Sequence, residues 1–132
     1  MQTPTVFLYN LDTPKGSQIK RMCLPMKIRV RSVKPEEYAE PLAALSGQME
    51  PTGHIPENAV FTDEMLLLVH FTNSLLDAFL QGFRRHKIAP VALKAIYTPH
   101  NAAWNSIQLR EELVKEREAM TRGGQAHGPE TP

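Results

Sequence analysis

Between Glu64 and Trp104 the hydrophobic pattern changes period twice, and few folds accommodate such a stretch. The run Met65-Leu66-Leu67-Leu68-Val69-His70-Phe71 is apolar at nearly every position and is bounded by polar residues. It is too short for a lone helix and fits a strand buried on both faces. Thr72-Asn73-Ser74 then supplies capping residues. Leu75, Leu76, Phe79, Leu80 and Phe83 follow at helical spacing, which predicts one apolar stripe on a helix running to Lys87. Ala89-Pro90 stops that helix, and Val91 to Tyr97 resumes as a strand.

The first half has the same grammar. Thr5-Val6-Phe7-Leu8-Tyr9 is a second continuously apolar run. Thr13 before Pro14 has the form of an N-cap with proline at the first helical position. Ile19, Met22, Cys23 and Met26 mark the inner face of that helix, and Pro25 ends or kinks it. From Lys27 to Val33 the pattern alternates, with Ile28 and Val30 on one side and Arg29 and Arg31 on the other. Such alternation predicts an edge strand with one wet face. Pro35 opens a short helix carrying Tyr38, Leu42 and Leu45, irregular at Pro41 and ended by Gly47. Residues Gln48 to Asp63 contain Pro51, Gly53, Pro56 and Asn58 and read as a surface loop. Asn105 with Gln108 has the capping-box form and starts a last helix, Ser106 to about Met120, with Ile107, Leu113 and Val114 inward. Thr121–Pro132 lacks apolar anchors and is expected to be a disordered tail behind a single domain of residues 1–120. The halves Thr5–Leu45 and Glu64–Val114 share one element order, but their side chains match too poorly to establish a duplication.

Strands alternating with helices predict an α/β fold, here a small three-layer sheet of four mostly parallel strands in the order 2-1-3-4, two helices on each face. A ferredoxin-like α+β sheet is the alternative, and continuous apolar runs favour the first. In a parallel sheet every strand would exit at one edge. Asn10, Asp12 and Thr13 would then meet His70, Thr72 and Asn73, and Thr98, His100 and Asn101 beside Trp104. In the alternative this constellation separates.

A formal net charge of +1 argues against bulk duplex DNA as a partner. Lys20, Arg21, Arg29 and Arg31 nevertheless lie in a stretch without acids, a candidate basic surface for phosphates or an acidic partner, although a solvated helix face plus edge strand is the favoured explanation. Cys23 stands alone among apolar neighbours, as a buried small hydrophobe would, and suits a reducing cytoplasm. The N-terminus has no signal-peptide pattern, and no apolar run is long enough to span a bilayer. The histidines His54, His70, His86, His100 and His127 show no metal-ligand spacing, and neither a phosphate loop nor a nucleophile elbow occurs. No cofactor is expected.

Leu8 to Thr13, Lys27 to Val33, Asp63 to Leu66 and Pro90 to Ala95 together resemble a bacterial family catalogued as domain of unknown function 3783. Thr98-Pro99, Asn101, Trp104, Gln108-Leu109 and Glu111-Glu112-Leu113 extend the resemblance, which spans most of residues 5–118; Pro25 departs from the pattern. The family carries no assigned activity. Residue chemistry and resemblance together lead to a small cytosolic binding or interaction module without catalysis of its own, its partner a protein or a small molecule. Two other readings stand beside it. A ligand-binding domain or enzyme would use the strand-exit loops, with His70 or His100 as proton carrier. Weak nucleic-acid or acidic-partner contact would use the basic residues, with few aromatics there for stacking.

Overall fold

A computed structural model of the chain describes residues 3–58 and 60–127. The elements run β1 (Thr5–Tyr9), α1 (Pro14–Cys23), β2 (Arg29–Val33), a 3-10 turn (Pro35–Glu37), α2 (Leu42–Leu45), β3 (Met65–Val69), α3 (Asn73–Arg85), β4 (Leu93–Ile96) and α4 (Ser106–His127). Helix α4 continues past Met120, so Thr121–His127 is helical where a disordered tail was expected; Gly128–Pro132 lie outside the described residues. The short helix expected after Pro35 divides at Pro41 into the turn and α2.

The strands form one mixed sheet in the order β2-β1-β3-β4, as the sequence pattern predicts. β1 and β3 are buried along nearly their whole length, which is why they read as continuous apolar runs. Both outer pairs, β1–β2 and β3–β4, are parallel, and the inner pair β1–β3 is antiparallel, with Phe7 opposite Leu67. The outer parallel pairs exclude the ferredoxin-like alternative.

Each βαβ unit is a crossover of one preferred hand, and reversing β3 against β1 sends both crossover helices to the same face. On that face Ile19, Met22 and Cys23 of α1 and Phe79 and Phe83 of α3 share a core with Val6, Leu8, Leu66 and Leu68. Gly82 permits the close approach of the two helices: a Cβ there would lie 2.5 Å from Met22 Sδ. The opposite face carries Tyr38, α2 and α4 over Phe7, Tyr9, Leu67 and Leu93. Phe61, from the long loop, stacks on Tyr38 at 4.7 Å, so that loop contributes to the core.

The two halves are related by an approximate two-fold axis through the Phe7–Leu67 pair. Asn10 and His70 end their strands in the left-handed conformation, with φ of 59° and 63°. Lys27 and Lys87, the same distance along each half, repeat it at 59° and 56°. Ile28 then donates its N–H to Cys23 C=O at 3.2 Å, and Ile88 donates to Phe83 C=O at 2.8 Å. The repeat resides in backbone geometry, and the side chains have diverged around it.

One expected core residue is corrected. Leu80 is 39% exposed, whereas Phe79 is fully buried, so the inward stripe of α3 is Phe79, Gly82 and Phe83, with Leu75 and Leu76 partly buried beside it.

Candidate functional site

Because β3 runs against β1, the strand-exit residues divide between two edges of the sheet. Asn10, Asp12 and Thr13 lie at the edge where β1 and β2 end. His70, Thr72, Asn73, Thr98, His100 and Asn101 lie at the other, where β3 and β4 end. The constellation expected of a fully parallel sheet does not form.

Several of these residues have structural partners. The Asn10 side chain donates to the carbonyls of Asp63 at 2.8 Å and Phe61 at 3.3 Å and accepts from the Tyr38 hydroxyl at 3.2 Å. It therefore fixes the chain entering β3. Thr13 and Thr72 are N-caps, accepting from Gly16 N–H at 3.2 Å and Leu75 N–H at 3.1 Å. Asn105 and Gln108 close the expected capping box, at 3.0 and 2.9 Å. Asp12 and Asn73 are exposed.

Asn101, in contrast, defines a site. β4 is an edge strand, and Tyr97 N–H faces inward to Leu68 C=O at 2.8 Å. By the alternation of a strand, the backbone groups of Lys94, Ile96 and Thr98 face outward. Asn101 meets two of them, its amide donating to Ile96 C=O at 3.0 Å and accepting from Thr98 N–H at 2.9 Å. A side-chain amide here stands in for the peptide of a neighbouring strand. Beyond it, the N–H and C=O of Lys94 and the N–H of Ile96 remain on the open edge.

A groove of about 530 Å³ runs along that edge. Leu76 and Leu80 of α3 form one wall, and Leu109 and Leu113 of α4 form the other. His100 and Trp104, edge to face at 5.4 Å, close the end. Trp104 is half-buried, packed against the core under α4 while lining the groove, so it is less shielded than a core residue would be. Ile96 and Leu80 are 45% and 39% exposed. Glu112 and Glu116 line the α4 side. Lys94 directs its ammonium to Val91 C=O at 2.8 Å; burial, and then the charge of Arg117, hold its pKa below the usual lysine value. Leu76, Leu80, Lys94, Ile96, Glu112 and Leu113 escaped sequence reasoning, because an apolar stripe does not reveal which of its members the neighbouring helix covers.

Every residue lining this groove belongs to β3, α3, β4, α4 or the loop between the last two. The comparison with known families falls on the same stretch. Residues 64–120 match the family described as a domain of unknown function, DUF3783. The DUF3783 segment is thus the second βαβα unit, and the first-half motifs quoted above lie outside the match. No curated protein and no solved structure matches the chain.

The basic residues do not form one surface. Arg29 and Arg31 point to the α2/α4 face, Arg31 lying over the Phe7 ring at 5.6 Å, while Lys20 and Arg21 belong to α1 on the other face. Among the described residues no group of three or more His, Cys, Asp and Glu could hold a metal ion. His54 Nδ1 and the Thr52 hydroxyl are 2.8 Å apart, but the hydroxyl donates its proton to Glu40, so the imidazole does not activate it. Cys23 is fully buried, and burial pushes its thiol up to about 12, away from nucleophilic chemistry.

Proposed function

We propose that this protein is a small cytosolic interaction module without catalysis of its own. It receives an extended segment of a protein partner along the open edge of β4. The observation that carries this reading is the groove itself: an edge strand with outward-facing backbone groups between apolar walls, contained within the one family-matched unit. Strand addition at such an edge draws affinity from main-chain hydrogen bonds and specificity from alternate side chains. Apolar residues of the partner fit against Leu80, Ile96 and Leu113, and a basic residue fits opposite Glu112 and Glu116. The unpaired, buried Cys23 accords with a reducing compartment. No described helix is long and apolar enough to cross a membrane.

The test is selection from a displayed library of unstructured peptides, counter-selected on a Leu80→Glu/Ile96→Glu variant. Enriched peptides should alternate apolar residues with a Lys or Arg, and should shift the amide resonances of Lys94 and Ile96. Peptides that bind the variant equally well, or that shift resonances elsewhere, would remove the reading.

A further inference from the structure

The α2/α4 face is covered unequally. Helix α4, with Leu109, Leu113 and Val114, packs over Leu93 and Ala95 of the second unit. Its counterpart α2 has only four residues, Leu42–Leu45, and leaves part of the first unit open. There a cavity of about 480 Å³ lies over Phe7 and Val69, residues only 2% and 1% exposed. Its walls carry Arg29, Arg31 and His70. Among the described residues no Asp or Glu lines it.

The three cationic or titratable groups differ in how they are held. Arg31 is oriented: it pairs with the Glu37 carboxylate, reaches the Leu45 carbonyl at 3.5 Å and lies over the Phe7 ring. Glu37 offsets part of its charge, and among the described residues the other guanidinium N–H groups have no acceptor. The Arg29 guanidinium is exposed and has no ion pair or hydrogen bond among the described residues. The His70 imidazole has no hydrogen bond among the described residues, and the residue, at φ 63°, directly follows the last residue of β3. Two arginines and an imidazole above an apolar floor suit a planar or tetrahedral oxyanion attached to a hydrocarbon or ring.

We infer that this cavity, between Arg29, Arg31 and His70, is a binding site for a small organic oxyanion, a phosphate or a carboxylate on an apolar group. The site draws on both halves of the chain, is separate from the β4 groove and does not rest on that groove's function. Gln48 stands at its rim as a further amide donor. The hydroxyls of Thr5 and Ser46 already donate to Thr3 and Ala43 carbonyls.

The experiment is an NMR titration of the labelled full chain with phenyl phosphate, benzoate and, as a neutral control, benzyl alcohol. One or both anions should shift the resonances of Val69, His70 and Arg29 saturably at millimolar concentration or below, and benzyl alcohol should not. The tighter anion identifies the oxyanion. Arg29→Ala, at an exposed position, should keep the amide spectrum of the fold and weaken binding at least tenfold; Lys20→Ala on the opposite face should leave it unchanged. Absence of a saturable shift with either anion, or undiminished binding by Arg29→Ala, would overturn the assignment.

Discussion

Phe79 and Leu80 are neighbours on α3, both large and apolar, and the fold assigns them opposite fates. Phe79 is fully buried, edge to face with Phe71 at 5.6 Å and with Phe83 at 5.3 Å. Replacing it by alanine removes the ring and both aromatic contacts and leaves a cavity beneath α3. Phe→Ala in a core costs about 3–5 kcal/mol, and two aromatic pairs place this site toward the upper end. Unfolding entropy of about 2.1 cal/mol/K per residue gives roughly 0.28 kcal/mol/K for 132 residues, so about 4 kcal/mol lowers Tm by roughly 14 °C. Leu80 is 39% exposed. Its burial contributes about half of the ~1.5–3 kcal/mol of a fully buried leucine, and alanine is the better helix former. Leu80→Ala should therefore cost about 1 kcal/mol or less, a Tm shift of roughly 4 °C or less. Differential scanning calorimetry of both variants is the assay. Equal losses, or a larger loss at Leu80, would refute the assignment of the inner face of α3.

Gly16→Ala should destabilise by more than about 2 kcal/mol, although helix propensity alone favours alanine by about 1 kcal/mol; a Cβ there would sit 1.8 Å from Leu11 O, a backbone atom that cannot turn aside. Urea denaturation checks the sign. Asn101→Ala should cost about 1–2 kcal/mol through two lost edge bonds, and sedimentation should show more self-association as β4 loses its cap. Glu40 accepts the N–H of Thr52 and Gly53 at 2.8 Å each, and these bonds, the Thr52 amide foremost, hold its carboxyl below the usual 4.5. Its contribution is present above the unfolded value and is lost as pH falls through the lower folded value. The amide resonances of Thr52 and Gly53 should move together in that acid window, and Glu40→Gln should abolish the transition.

Much of the architecture follows from local pattern. The continuous apolar runs at β1 and β3 name the central strands, because only a strand covered on both faces is apolar at every position. Arg29 and Arg31 alternating with Ile28 and Val30 name an edge strand. Thr13, Pro14, Asn105 and Gln108 mark their helix starts through bonds made within one turn. What these patterns lack is direction. A strand buried on both faces has the same composition whichever way it runs, and the long Gln48–Asp63 loop can deliver β3 in either sense. The tertiary structure sets β3 antiparallel to β1, and three consequences follow that no window of sequence contains. Both crossover helices share a face, Asn10 and His70 occupy opposite edges, and the oxyanion cavity and the β4 groove open where they do. Local sequence records how deeply a residue is buried; which neighbour buries it depends on a pairing formed between residues distant along the chain.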